Sequence, residues 1–503
     1  MLTRPVITTL VAWASIFLVL AAWALASPIG SGPDESNHFA KAAATVRGQW
    51  TGTPTDAQGV TTVRVPQSVA DPQGAVPCFA RDADRPATCA PPFSDSAATV
   101  TVPTGVGDYY PAYYLLVGWP TLVLDGAHGY LAVRLVSALL VALLLAVVVG
   151  VGAALRRPTA LPAWAAVAIT PMTVYLGGLV TPSAVEIAGC AALAAVTWLV
   201  LHDGAGRRLR WWLVLLVATG VLAGSMRTSS PLMVVLVVLG VLLTDAPRAV
   251  RLLRERSVLV ALAAAVVLLV PAAVWAVAIA GPAGYIPSTP ERYGFIAGAL
   301  RTLELTPDYA EQMIGILGWF DLPLPAGVLI GWTMGIGFVL LAALSARRRA
   351  VPGVVLLVLA TVLVPVVLQG IGAGEYGIIW QGRYGLPLLV PMVLVAGLVA
   401  ERSALRHRTL PTLTVLVPVL ATIGQAVVFV VALHRYTVGR SASWGSMFTE
   451  SAWHPAGGTG LALVLAGVGL VGTVVLAAVV PARARGPRRR RDVDARTTVA
   501  FDR

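Results

Sequence analysis

The sequence predicts an all-α integral membrane protein with about 12 transmembrane helices. Of its 503 residues, 57% are hydrophobic and only 12% are charged, whereas soluble domains carry roughly 25% charged residues. The mean hydropathy is +0.80, and long apolar runs alternate with short arginine-rich links. A single apolar run in lipid satisfies its backbone hydrogen bonds only as a helix, so we expect helical spans.

The first apolar run, within residues 1–26, predicts an uncleaved first helix. The small residues Ala24 and Ala26 resemble a signal-cleavage site. The run of about 20 residues is longer than the roughly 7–15 residues of a signal core, and it suits a membrane span. We expect this helix to run from the cytoplasm to the outside.

The remaining apolar runs predict eleven further spans, and residues 1–480 form one polytopic membrane domain. Every arginine cluster between the runs falls on the same predicted side, which is the positive-inside pattern. We therefore predict a multi-pass protein of the plasma membrane with both termini in the cytoplasm and a basic, disordered tail over residues 481–503. The further spans are 130–155, 161–180, 184–201, 211–226, 231–244, 257–280, 323–344, 351–370, 384–400, 410–433 and 460–480.

The formal net charge of +12 could indicate nucleic-acid binding. The arginines, however, cluster at the ends of apolar runs, and no basic face with interleaved aromatic residues appears. We expect membrane lipid as a partner and no nucleic acid.

Two long loops, 27–110 and 281–322, are predicted on the extracytoplasmic side. The first carries eight acidic and five basic residues, opposite in sign to the whole chain. It also contains Cys78 and Cys89, for which an extracytoplasmic location favours a disulfide, with two free thiols as the alternative. Cys190 lies in an apolar run and is expected to be an inert core residue.

The stretch 27–47 holds the densest group of reactive side chains, directly after the first apolar run. Asp34, Glu35 and His38 lie within five positions. On one helix they would share a face, because residues three and four apart are neighbours. This predicts an acid/base group, with Asp34 and Glu35 as catalytic candidates. The same three residues are candidate ligands of a divalent cation, magnesium or manganese.

A simpler interpretation of these acids is structural. Pro33 suits the first position of a helix, with Gly32 or Ser31 as its N-cap. Acids in a first turn complement the helix dipole and satisfy free N–H groups, so their presence alone does not distinguish capping from chemistry.

Further candidate residues gather on the same predicted side. An arginine at a helix end usually extends to the membrane interface, but arginine also binds phosphate with two prongs, and the phosphate headgroup of a polyprenyl lipid lies at this depth. The predicted substrate-binding residues are His38, Arg227, Gln381, Arg383, Tyr384 and Arg435.

Four tyrosines end the first loop, at 109, 110, 113 and 114. They are expected to form an interfacial aromatic belt, with stacking on a sugar ring or a lipid as the alternative.

Several strings resemble a bacterial membrane family known as domain of unknown function 2142. They are spread across nearly the whole chain, and the first and fourth are the most specific. They are GPDESNHF at 32–39, TPMTVYLGGLVTPSAVEI at 170–187, QMIGILGWFDLPLP at 312–325, QGRYGLPLLVP at 381–391 and HRYTVG at 434–439.

That family is similar in architecture to the GT-C glycosyltransferases, which have many spans, a large first outer loop and an acidic pair after the first helix. The resemblance implies that Asp34 is a general base or metal ligand and that Glu35 supports it, and we expect Arg383 to help hold the departing phosphate. The implied donor is a polyprenyl-phosphate sugar, and the implied acceptor is an envelope glycan or protein. The alternatives are a transporter or flippase for lipid-linked glycans and a structural partner of an envelope complex.

Overall fold

The computed structural model describes residues 4–57, 59–157, 159–204, 207–279, 291–402 and 410–483. Most of the predicted tail and part of the second predicted loop lie outside these ranges. The described chain is predominantly α-helical, as predicted. Its helices are α1 (Arg4–Ala26), α2 (Glu35–Thr45), α3 (Ala112–Val117), α4 (Gly126–Ala154), α5 (Leu161–Ala168), α6 (Pro171–Gly177), α7 (Pro182–Asp203), α8 (Arg207–Gly224), α9 (Ser230–Leu243), α10 (Ala246–Leu252), α11 (Arg256–Ala278), α12 (Phe295–Glu304), α13 (Thr306–Gly315), α14 (Ala326–Leu344), α15 (Val351–Tyr376), α16 (Leu386–Ala400), α17 (Leu410–Val438), α18 (Ser446–Thr449) and α19 (Gly458–Arg483).

Within the described ranges, nine helical segments are long and apolar enough to cross a membrane. A tenth is obtained if α9 and α10, which meet at 113°, count as one span. Two further predicted spans do not form a single helix that is long and apolar enough to cross a membrane. The run 161–180 is divided between α5 and α6, and the run 211–226 lies in α8, which begins with three arginines.

The break between α5 and α6 follows from Pro171, which has no N–H to donate to the carbonyl of Val167. The indole Nε1 of Trp332 on α14 donates to that carbonyl instead, at 3.1 Å. The amide Nε2 of Gln425 on α17 donates to the next freed carbonyl, that of Ile169, also at 3.1 Å. Neighbouring helices thus satisfy a broken backbone in an apolar bundle, where water is excluded.

A small sheet covers the end of the bundle where α1 stops. Strands β1 (Thr53–Pro54), β2 (Thr61–Pro66) and β3 (Thr99–Thr104) pair antiparallel in that order. The pattern of β2 alternates, with Val63 and Val65 buried and Arg64 exposed, as expected for a strand with one covered face. Strands β4 (Ile316–Leu317) and β5 (Leu322–Pro323) form a separate hairpin.

The connections at the opposite end carry many of the arginines. Arg248 donates to the carbonyl of His202 at 2.6 Å, and Arg402 lies over the ring of Trp198 at 4.6 Å. Glu401 accepts a hydrogen bond from the indole of Trp164 at 2.6 Å. The two ends of the helical bundle therefore differ: one carries many of the arginines, and the other carries α2, the sheets and the candidate site.

Candidate functional site

The turn before α2 separates the two predicted catalytic acids. The helix begins at Glu35, and Asp34 precedes it with a φ of 67° and no side-chain capping bond. The prediction that Pro33 opens the helix is therefore wrong. A positive φ is uncommon for a residue with a side chain, and such strain concentrates at functional sites.

Glu35 forms a closed ion pair with Arg134 of α4. Its two carboxylate oxygens accept from Nε and Nη2 of Arg134, each at 2.7 Å, and one of them also accepts from the backbone N–H of Val180 at 3.0 Å. The side chains are 1% and 3% exposed. Arg134 also donates to the carbonyls of Ala24, Ser27 and Pro28. The Glu35–Arg134 pair therefore joins α2 and α4 to the end of α1 and to the segment before α7, and the catalytic role of Glu35 stays a prediction.

Asp34 forms an open ion pair with Arg383, which precedes α16. Nη2 of Arg383 lies 2.6 Å from Oδ2 of Asp34, and Nη1 donates to the carbonyl of Pro33 at 2.9 Å. The Asp34 side chain is 38% exposed, whereas that of Arg383 is 8% exposed. The buried Nε of Arg383 has no hydrogen-bond partner. This pair retains capacity for another molecule.

A second arginine approaches the same place from the end of α8. The guanidinium of Arg227 lies over the ring of Tyr384 at 4.1 Å, and its Nη1 donates to Oγ of Ser183 at 3.1 Å. Ser230 accepts from the backbone N–H of Arg227 at 2.9 Å and donates to Glu186 at 2.6 Å. The sequence indicated Arg227 but not its connection through Ser230 to Glu186. The only indication of that connection in the sequence was an acidic residue inside a predicted span.

His38 and the tyrosines form the wall beside Asp34. Nδ1 of His38 lies 2.9 Å from the hydroxyl of Tyr114, and the ring of Tyr109 lies 5.9 Å from the imidazole. Tyr113 and Tyr114 are fully buried, so the predicted interfacial belt is wrong for these two residues. They belong to the interior of the site.

The electrostatics keep Asp34 charged and His38 neutral at neutral pH. Burial raises the pKa of Asp34, but the positive charges of Arg383 and Arg227 and the hydrogen bond from Arg383 outweigh it, so the net pKa is lowered. Burial lowers the pKa of His38 to about 3, against the charge of Asp34 and together with the two arginines. The site thus presents one carboxylate that can accept a proton.

Lys41 is a site residue that sequence reasoning missed. It is the only lysine in a chain with 35 arginines, and it is fully buried in α2. Its ammonium donates to the carbonyls of Trp50 at 2.6 Å and Gly107 at 2.5 Å. Burial lowers its pKa to about 8, opposed by Asp108. Lys41 thereby fixes the loop that carries Tyr109, and its rarity in the sequence was the available signal.

A cavity of about 10 Å³ adjoins Arg383, which is about the space of one water molecule. Gln381 lines it, and the buried Oε1 of Gln381 has no partner. Phe320 also lines it and has a φ of 64°. Asp34 and Phe320 are two of the three non-glycine residues with positive φ in the described chain. Strained backbone thus lies on both sides of Arg383.

Arg435 does not join this site, and its predicted substrate-binding role stays a prediction. Its Nε and Nη2 donate to Oδ2 of Asp321, and these side chains are 1% and 4% exposed. It also donates to the carbonyls of Phe79, Asp82 and Arg85. These carbonyls belong to a loop that a disulfide closes between Cys78 and Cys89, with Cα atoms 6.1 Å apart. Arg435 therefore fastens that loop to α17.

The predicted cation site of Asp34, Glu35 and His38 is not assembled, because both oxygens of Glu35 are engaged by Arg134. No group of three or more histidine, cysteine, aspartate or glutamate residues among those described could hold a metal ion. The predicted residues that do come together are Asp34, His38, Arg227, Gln381, Arg383 and Tyr384.

Comparison with known proteins gives one result. No curated protein and no solved structure matches the chain. A family model described as a predicted membrane protein (DUF2142) matches residues 17–392, well over half of the 503 residues. That range contains Asp34, Arg227 and Arg383, so the core of the site lies within it. The chain therefore belongs to the DUF2142 family of predicted membrane proteins.

Proposed function

We propose that this protein is a GT-C-like glycosyltransferase that takes sugar from a polyprenyl-phosphate donor on the extracytoplasmic face of the membrane. The observation that supports this proposal best is the open pair of Asp34 and Arg383. A partly exposed carboxylate lies 2.6 Å from a guanidinium that has an unpartnered buried N–H. Acid and anion-binding groups are the two kinds of side chain that such a transfer requires.

Asp34 acts as the general base. An acceptor hydroxyl gives its proton to the carboxylate while its oxygen forms a bond to the anomeric carbon of the sugar. The bond from that carbon to the phosphate oxygen breaks, and polyprenyl phosphate leaves with the electron pair. A positioned base contributes roughly 10²- to 10⁴-fold, and the lowered pKa of Asp34 keeps it ionised for this role.

Arg383 and Arg227 hold the leaving phosphate. The unpartnered Nε–H of Arg383 and the Nη2–H that now bonds to Asp34 would form a two-pronged donor pair once the carboxylate is displaced, which suits phosphate better than a point charge does. Arg227 lies 4.1 Å from the ring of Tyr384, Arg383 lies 5.1 Å from the same ring, and Arg227 thus adds a second positive charge. The described donor set does not fit a divalent cation, and no step in this mechanism uses one.

The proposal includes a topology. About 12 spans cross the plasma membrane, both termini lie in the cytoplasm, and loops 27–110 and 281–322 lie outside. The arginine clusters between the spans support it through the positive-inside rule. The acceptor is then an envelope glycan or protein, since those reach the outer face.

The test is Asp34→Asn, assayed for sugar transfer from a panel of polyprenyl-phosphate sugars in membranes. We expect a loss of about 10²-fold or more with normal expression and membrane insertion, because an amide cannot serve as the base. Asp56→Asn is the control, since Asp56 is an exposed acid of the same loop. Full transfer by Asp34→Asn would overturn the proposal. If Arg383→Lys loses activity and Asp34→Asn keeps full activity, the result would favour a transporter of the same lipid.

A further inference from the structure

A long apolar groove lies between α5, α14 and α17. It encloses about 450 Å³. Three glycines of α14 at every fourth position, Gly327, Gly331 and Gly335, leave one wall without side chains, and Trp164 and Trp332 line it from α5 and α14. Residues four apart on a helix lie in one row, so the glycines form a continuous channel floor along α14.

The groove is longer than one leaflet of a bilayer. Its lining on α14 extends from Pro325 to Val339, which is about 21 Å at about 1.5 Å per residue. The hydrocarbon core is about 30 Å thick, so one leaflet accounts for about 15 Å. An ordinary phospholipid chain ends near the midplane, whereas a groove of this length that begins at the outer end of α14, as the proposed topology has it, would continue beyond the midplane.

One end of the groove, at Pro325, begins two residues after Pro323, which pairs in the β4–β5 hairpin with Ile316 of the cavity beside Arg383. Ile316, Gly318 and Phe320 line that cavity, and the same segment continues through β5 to Pro325, where the groove begins. Arg383 lines this cavity, is 7% exposed and has a buried Nε–H without a hydrogen-bond partner. An anion-binding group therefore stands at the head of a hydrocarbon channel.

We propose that the groove binds the single long chain of the polyprenyl phosphate whose phosphate Arg383 receives, and that it selects for chain length. This inference rests on the proposed function, since it names the tail of the same donor. A polyprenyl chain is unbranched apart from its methyl groups and long enough to pass the midplane. Two rival occupants are ordinary phospholipid and a partner helix, because glycines at this spacing also permit close helix packing.

The experiment measures binding without catalysis, by native mass spectrometry of the full chain released from nanodiscs. The probes are undecaprenyl phosphate, farnesyl phosphate and phosphatidylglycerol. Gly331→Leu fills the groove, and Gly337→Leu on the same helix is the matched control, since Gly337 does not line it. A Cβ at either glycine meets no atom within 4 Å, so both variants should fold.

We expect wild-type protein and Gly337→Leu to prefer undecaprenyl phosphate over farnesyl phosphate and phosphatidylglycerol by about tenfold or more. Gly331→Leu should lose that preference while it still binds farnesyl phosphate, because leucine displaces several methylene groups of the chain. Equal binding of all three probes, or undecaprenyl preference unchanged in Gly331→Leu, would overturn the inference. Loss of a dimer peak in Gly331→Leu, with lipid binding unchanged, would assign the groove to a partner helix.

The two proposals fail separately. Length-selective binding without sugar transfer in membranes would leave the chain site in place and refute the glycosyltransferase. Transfer that depends on Asp34 but is unaffected by Gly331→Leu would support the enzyme and refute the chain site.

Discussion

Two neighbouring acids of this protein have opposite surroundings. Glu35 is 1% exposed, and both of its carboxylate oxygens accept hydrogen bonds from Arg134. The other N–H groups of Arg134 donate to backbone carbonyls. Asp34 is 38% exposed and meets Arg383 through one oxygen, and Arg383 keeps one buried N–H without a partner. The difference lies in how completely each pair satisfies its own hydrogen bonds.

A closed ion pair, in which both side chains have all their hydrogen bonds satisfied, stabilises the fold. An open ion pair, which keeps an unsatisfied donor, can exchange its partner. Replacing the bonds of Arg134 would expose several carbonyls and a buried charge at once, which is costly. In the proposed mechanism, a phosphate that approaches Arg383 meets the unpartnered Nε–H and competes for Nη2 with one oxygen of Asp34 and the hydroxyl of Tyr384, which would release Asp34 toward an acceptor. Asp321 and Arg435 form a second closed pair, so the open pair is the exception among the buried ion pairs described.

The largest expected effect breaks the closed pair. Arg134→Ala should lower the free energy of unfolding by roughly 3–5 kcal/mol, because it leaves the buried carboxylate of Glu35 uncompensated. Thermal unfolding of the purified protein in detergent measures this loss. Asp34→Asn is the contrast and should leave the melting temperature almost unchanged. Equal stability of Arg134→Ala and wild type would remove the distinction between the two pairs.

A smaller effect is expected at Lys41, whose ammonium is enclosed by carbonyl groups. Lys41→Arg keeps the charge but adds volume at a fully buried position, and overpacking costs roughly 1–3 kcal/mol. We expect a lower melting temperature and weaker sugar transfer, because the loop that carries Tyr109 loses its anchor. Lys41→Met preserves the size and removes the donors. If both variants behave as wild type, Lys41 does not position the site.

The smallest expected effect concerns the open ion pair of Asp34 and Arg383 and is measured as the pH dependence of the transfer rate. In wild-type protein the pKa of Asp34 lies below the ordinary 3.8, so the acid limb of the transfer rate should fall below about pH 4. Arg383→Gln removes the main positive charge that lowers the pKa of Asp34. The burial that raises this pKa remains. Its residual activity should therefore decline at a higher pH than that of wild type.

Arg383→Lys is the companion variant, because it keeps the charge and should keep the acid limb low. The rate with each variant is measured from pH 4 to pH 8. An unmoved limb in Arg383→Gln would show that the titrating base is not Asp34. The same lowered pKa stabilises the folded state above about pH 3.8, and this contribution is lost as the pH falls through the folded value.

The sequence by itself determined the membrane class, most of the helical spans and the region that holds the candidate site. Apolar runs and arginine links have local causes, since backbone satisfaction in lipid and charge placement act within one segment. The family strings likewise indicated Asp34, His38 and Arg383. The pairing of Cys78 with Cys89 was favoured by compartment, and it is the pairing found.

Only the tertiary structure decided which acid belongs to which arginine. A regular helix from Pro33 would place Asp34 and Glu35 on a common face, but the left-handed turn at Asp34 directs them apart. The partner of Asp34 lies 349 positions further along the chain and that of Glu35 lies 99 positions further, and no local periodicity encodes such distances. Arg435 was grouped with Arg383 for the same reason, because an arginine whose donors are all engaged and one with an unpartnered N–H look alike in sequence. Burial and hydrogen-bond satisfaction separate them, and both are properties of the folded chain.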